Sequence, residues 1–111
     1  MEAREILQLE KNFFDVNFIN NLQYLDNILD DDYLEIGKSG TLIKKRDVIK
    51  ELSGLKQNRK IDMYNYECNK IDDKTYIIHY ITKYKDKLFF RTSIWQKNNK
   101  NYKIIFHQAS E

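Results

Sequence analysis

The chain has 111 residues, 14% of them aromatic, with 19 basic and 17 acidic side chains and a formal net charge of +2. That length fits one domain, 1–111, with room for a core but little to spare for a deep pocket. The two charge signs are interspersed, with no basic stripe to make a nucleic-acid footprint, and a lone Cys68 excludes an internal disulfide and a cysteine-rich zinc site.

The first third reads helical. Ile6, Leu9 and Phe13, with Leu7 and Phe14, recur at helical spacing, and Leu22, Leu25, Ile28 and Leu29 continue the pattern after Asn20-Asn21. Asp15-Val16-Asn17 interrupts it, so one long helix with a break, or two in series, is expected. Asp30-Asp31-Asp32 puts three like charges together and predicts a turn that ends the helical region. Tyr33-Leu34-Glu35-Ile36 is a short strand, and Gly37-Lys38-Ser39-Gly40 a loop. Lys44-Lys45-Arg46, followed by Asp47, reads as a solvated helix start rather than a phosphate patch. Val48, Ile49, Leu52 and Leu55 predict a helix over 45–54 with one buried face, and Gly54 stands where it would end.

From residue 59 the pattern turns to β. Strands are predicted at about 59–70, 74–84, 87–97 and 102–109, joined by polar turns at Asp72-Asp73, Lys85-Asp86 and Asn99-Lys100. Helices followed by an antiparallel meander make an α+β layout, with the helices covering one face of the sheet.

The tract Arg91–Gln108 holds most of the hydrogen-bonding chemistry: Arg91, Ser93, the only tryptophan Trp95, His107 and Gln108. If Lys85-Asp86 is a two-residue loop, Tyr80 faces Arg91, Ile78 faces Ser93 and Tyr76 faces Trp95. If Asn99-Lys100 is one too, Trp95 faces Ile104, Ser93 faces Phe106 and Arg91 faces Gln108. Tyr80, Arg91, Ser93, Trp95 and Gln108 then share one face, and His107 lies on the other with Thr92, Ile94 and Ile105. A different loop length would flip part of the set. Arg91, with five donors in a rigid fork, either clamps an anion or a carbonyl or pairs with an acid at the sheet edge. Trp95 and Ser93 suit a core as well as a pocket wall. Glu35, a carboxylate in an apolar strand beside a glycine loop, must either pair with a cation such as Arg91 or have its pKa raised by burial. His107 is a candidate base that serves equally as a structural hydrogen-bonder, and His79 reads as surface. Glycine-rich phosphate loops, nucleophile elbows and metal-ligand spacings are missing.

The order of these elements and residues resembles the nuclear-transport-factor-2-like superfamily, also called ketosteroid-isomerase-like or polyketide-cyclase-like, and within it small bacterial stand-alone domains of unknown function. The likeness lies in Leu9-Glu10, in Leu29 through Gly37, and in Ser39-Gly40 with Val48-Ile49 and Leu52. Tyr80, Arg91-Thr92-Ser93-Ile94-Trp95 and Phe106-His107-Gln108 complete it, so nearly the whole chain is covered. The resemblance implies a cone, a curved antiparallel sheet wrapped around helices with a cavity at the wide end, and a habit of dimerising through the sheet. It implies no single activity, since relatives include isomerases, cyclases, dehydratases and proteins that only bind. The chain departs from the group at Tyr102, where a second tryptophan is common, and at Ala109-Ser110, where Gly-Thr is common. The Asp base and Tyr/Asp oxyanion hole of the steroid isomerases have no matching positions.

Three functions follow as expectations. The first is a domain binding a small molecule of unknown identity, without a cofactor or metal, with Glu35, Tyr80, Arg91, Ser93, Trp95 and Gln108 lining the cavity. The second is a lyase, isomerase or hydrolase acting on a small apolar substrate, with Glu35 or His107 as base and Arg91 steadying an oxyanion. The third is a homodimeric interaction module working through the tyrosine-rich sheet face, where Tyr64, Tyr66, Tyr76, Tyr80 and Tyr84 supply area. The single cysteine fits a reduced, cytoplasmic setting. The first residues lack the pattern of a secretion signal, and no apolar run approaches the ~18 residues of a membrane span.

Overall fold

The computed structural model describes residues 2–37 and 39–111. Its helices are α1 (Glu2–Asn12), α2 (Val16–Ile19), α3 (Leu22–Ile28) and α4 (Lys45–Ser53). The strands are β1 (Leu29–Ile36), β2 (Leu42–Lys44), β3 (Asp62–Lys70), β4 (Thr75–Tyr84), β5 (Lys87–Asn98) and β6 (Asn101–Ser110). They form one six-stranded sheet in the order β2-β1-β6-β5-β4-β3. Neighbours run antiparallel except β1 and β6, which are parallel. No helix among the described residues is long and apolar enough to cross a membrane.

The helical region divides into three. Asp15 and Asn21 each stop one helix and start the next: the Asp15 carboxylate accepts from the Asn17 N–H at 2.9 Å, and the Asn21 side-chain Oδ1 accepts from the Tyr24 N–H at 3.0 Å. Asp30-Asp31-Asp32 is not a turn. It lies inside β1, where the chain takes five steps from Leu29 to Leu34 while β6 takes two, from Ile104 to Phe106. The bulge has its own satisfiers, since the Asp30 carboxylate accepts from the Asp32 N–H at 3.0 Å and Lys45 holds Asp31 and Asp26 at 3.1 Å each. Outward bulging thus lets three carboxylates sit in a strand without facing the core. The strand expected from residue 59 begins at Asp62, which leaves Arg59 in a loop. The three-residue β2 was too short to be read from the sequence.

The β4–β5 hairpin turns on Lys85 and Asp86, both at positive φ, and pairs Tyr80 with Arg91, Ile78 with Ser93 and Tyr76 with Trp95, as loop counting expects. The β5–β6 hairpin also has two loop residues, and Trp95 does pair with Ile104. Beyond that point the register shifts: Ile94 pairs with Phe106, Ser93 with His107 and Arg91 with Ala109. Ile105 is the extra residue. This bulge turns His107 inward and Gln108 outward, the reverse of the arrangement expected from sequence.

The inner face is therefore built in rows across the sheet. Tyr76, Trp95, Ile104 and Leu29 form one, and Ile78, Ser93, His107 and Glu35 the next. The first row packs with Ile6, Leu25 and Ile19 to make the core, in which Trp95, Leu29, Leu25 and Ile6 are wholly buried. The second row begins where apolar filling gives way to polar side chains.

Candidate functional site

Between that polar row, the C-terminal end of α1 and the inner face of α4 lies a cavity of about 360 Å³. This is at the small end of the range for small-molecule sites. Phe13, Phe14, Val48, Leu52, Leu55 and Ile104 give it apolar walls, and Glu35, Glu51, Arg59, Arg91 and His107 face it with charge or hydrogen-bonding atoms. Each element delivers its residues for a structural reason. The alternation of β5 and the bulge in β6 put Arg91 and His107 on the same side. The β1 strand brings Glu35 opposite His107, and α4 presents Val48, Leu52 and Glu51 at helical spacing.

Behind the wall runs a buried polar chain. Glu10, on α1, is 1% exposed. Its carboxyl accepts from the Tyr80 hydroxyl at 2.5 Å and from the Trp95 indole N–H at 2.7 Å. Burial pushes the Glu10 carboxyl above its usual range, and the Tyr80, Ser93 and Trp95 donors pull it partway back. His107 Nδ1 lies 2.6 Å from the Ser93 hydroxyl and its Nε2 lies 3.4 Å from Arg91 Nη1. A guanidinium only donates, so Nε2 accepts from Arg91 and Nδ1–H donates to Ser93. Burial, with the positive charges of Arg91 and Arg59 beside it, pushes the His107 imidazole down to about 3, so it is neutral near pH 7.

The charged groups facing the cavity are held by neutral partners rather than by each other. Arg91 donates from Nε to the Thr82 hydroxyl at 2.8 Å and lies over the Phe14 and Phe89 rings, 5.2 and 5.7 Å from their centroids. Arg59 donates to the Phe13 carbonyl at 2.6 Å and lies 4.5 Å from the Phe14 centroid, and its Nε is buried without a partner. Glu35 accepts from the Tyr33 hydroxyl at 2.8 Å. Burial raises the Glu35 carboxyl against the lowering effect of Tyr33, and the nearby Glu51 charge raises it further. Among the described residues no carboxylate lies within 4.0 Å of either arginine.

Of the residues singled out from sequence, Glu35, Tyr80 and Arg91 line this cavity. Ser93 and Trp95 are wholly buried behind it and reach it through His107 and Glu10. Gln108 is exposed on the outer sheet face, because the Ile105 bulge reverses its side. His107 lines the cavity for the same reason. The expected Glu35–Arg91 ion pair is absent, since Tyr33 and Thr82 hold the two groups apart. Glu10, Glu51 and Arg59 were not picked out as site residues. Glu10 had a readable signal, an acid set into the apolar stripe between Ile6 and Phe13; Arg59, in a loop, had none.

No protein-family model matches the chain, and no curated protein matches it by sequence. Solved structures do match it. A nuclear-transport-factor-2-like protein from Cytophaga hutchinsonii superposes with a TM-score of 0.80 at 23% identity, covering 99% of this chain and 98% of that one. The association domain of CaMKII from C. elegans gives 0.79 at 14% identity, over 99% and 95% of the two chains. A nuclear-transport-factor-2-like protein of unknown function in nutrient uptake, from Rhodospirillum rubrum, gives 0.76 at 16% identity, over 95% and 96%.

Proposed function

We propose that this chain, which has the nuclear-transport-factor-2-like fold, is a binding domain for a small molecule, held in the cavity between the sheet, α1 and α4 with an anionic group against Arg59 and Arg91. The carrying observation is that both guanidinium groups face the cavity with no carboxylate in ion-pair reach among the described residues. A partly desolvated cation without a counter-charge is costly, and a ligand anion offsets that cost. Of the six residues expected at the site, Glu35, Tyr80 and Arg91 would contact the ligand, Ser93 and Trp95 would support from behind, and Gln108 would take no part. A thermal-shift screen of small carboxylates tests the reading. A ligand at about a hundred times its Kd adds about 2.7 kcal/mol, or a rise of roughly 10 °C in Tm for a domain of this size, and Arg91→Gln removes it. An unchanged response in Arg91→Gln would reject the site.

This geometry supports binding better than catalysis by His107. An imidazole held near 3, with Nε2 engaged by Arg91, is a weak base at neutral pH. Glu35, raised by burial, is the better base for the lyase, isomerase or hydrolase reading.

A second reading, self-association through the sheet, is supported by the outer face. Tyr64, Ile81 and Phe90 pair across β3, β4 and β5, and Tyr64 and Phe90 are 46% and 50% exposed. Contiguous aromatic area on a sheet face suits a second copy. Sedimentation analysis should show a dimer that Phe90→Lys dissociates while the fold is retained; a monomer at high concentration would remove this reading.

A further inference from the structure

The cavity is lined by groups of both charges, Arg59 and Arg91 together with Glu35 and Glu51, set among the Phe14, Val48, Leu52 and Ile104 side chains. The arginine charges favour ionised Glu35 and the Glu51 charge opposes it. Yet among the described residues neither arginine has an acid within 4.0 Å. Each charge is anchored by an uncharged neighbour: Arg91 by the Thr82 hydroxyl, Arg59 by the Phe13 carbonyl, Glu35 by the Tyr33 hydroxyl. A flexible arginine beside a free carboxylate would close into an ion pair. These groups are engaged by neutral partners instead, and the Arg59 Nε is left buried without an acceptor.

We propose that the ligand is a small zwitterion with an apolar middle, an amino acid in the broad sense, whose carboxylate lies against Arg59 and Arg91 and whose ammonium lies against Glu35 and Glu51. This rests on the small-molecule reading above and narrows its chemical class. A simple anion satisfies only the arginines and leaves the half-buried Glu35 without an ion-pair partner. A zwitterion offers the arginines and the carboxylates their counter-charges at once, and an apolar chain between its two groups suits the apolar walls.

Isothermal titration calorimetry on the intact chain tests this with matched probes: straight-chain ω-amino acids from glycine upward, together with the carboxylic acid and the amine of the same carbon chain. At the best chain length the amino acid is expected to bind about tenfold or more tighter than its acid. Glu35→Gln, which keeps an acceptor for Tyr33, and the more exposed Glu51→Gln are each expected to cut amino-acid affinity toward that of the acid, while acid affinity does not fall, since each variant removes a negative charge from the cavity. Arg91→Gln should abolish both. If the acid binds as well as the amino acid, or neither Gln variant separates them, the zwitterion inference falls and the anion site stands. If the amine alone binds, or no probe binds at about 10 mM, the inference falls together with the anion reading. Glu51 is exposed even at the cavity, so its variant remains informative even if Glu35→Gln fails to fold.

Discussion

Lowering the pH from 7 to 4 places the buried His107 under direct stress, and the size of the response follows from its surroundings. The imidazole is 9% exposed, donates to Ser93, accepts from Arg91 and carries a pKa pushed down to about 3 by burial and by two neighbouring guanidinium groups. In the unfolded chain its pKa returns to the ordinary histidine value of 6.5. The folded pKa is the lower of the two, so the unfolded state binds the proton first. The neutral ring's contribution is therefore fully present above 6.5 and is lost as pH falls toward 3. Each pH unit inside that window removes about 1.4 kcal/mol, so about 3 kcal/mol is lost between 6.5 and 4. Glu10 and Glu35 work the other way: their carboxyls are raised in the folded state, which then holds the proton more tightly than the unfolded chain does. The raw pH profile mixes these slopes. The informative quantity is the stability difference between the wild-type chain and His107→Asn, which keeps an amide donor for Ser93 and does not titrate. Urea unfolding at intervals from pH 7 to pH 4 should show the wild type losing about 3 kcal/mol relative to the variant. A difference that stays constant with pH would mean that His107 is not buried and neutral beside Arg91, and the wall described for the cavity would be wrong.

Three further outcomes are expected. Glu10→Ala leaves the Tyr80 hydroxyl and the Trp95 indole N–H without an acceptor in the core and should cost about 3–5 kcal/mol in urea unfolding, with Glu10→Gln costing less; a loss under about 1 kcal/mol would contradict the buried network. Tyr33→Phe removes the donor that lowers Glu35, so a carboxyl titration followed by NMR should show the Glu35 pKa rise, and an unchanged or lower value would refute that contact. Cross-strand NOEs should connect Thr92 with Gln108 and Ser93 with His107; contacts between Arg91 and Gln108 instead would restore the unbulged register and return His107 to the outer face.

The two hairpins show how far the sequence alone could reach. Polar dipeptides between β-forming runs fixed both loop lengths, and the β4–β5 register followed by counting. The β5–β6 register followed only to Trp95. Beyond it lie Ile104, Ile105 and Phe106, three apolar residues in a row, and such a run has no alternation to say which member is extra. The bulge is settled in three dimensions: Ile104 beneath the helices and His107 beside Ser93 can both face inward only if Ile105 drops out of step. Asp30-Asp31-Asp32 misled for a related reason, because charge density marks a turn in isolation yet also suits an outward bulge that Lys45 can neutralise. Glu10 and Arg59 escaped differently. A buried acid is legible only once its donors are known, and those donors, Tyr80 and Trp95, come from strands some seventy and eighty-five residues away. Arg59 belongs to the cavity because its loop returns to the Phe13 carbonyl, a contact without any local pattern. Glu10 and Arg59 thus take their places by non-local routes, while the residues that shape the apolar walls follow the periodicities of α1 and α4.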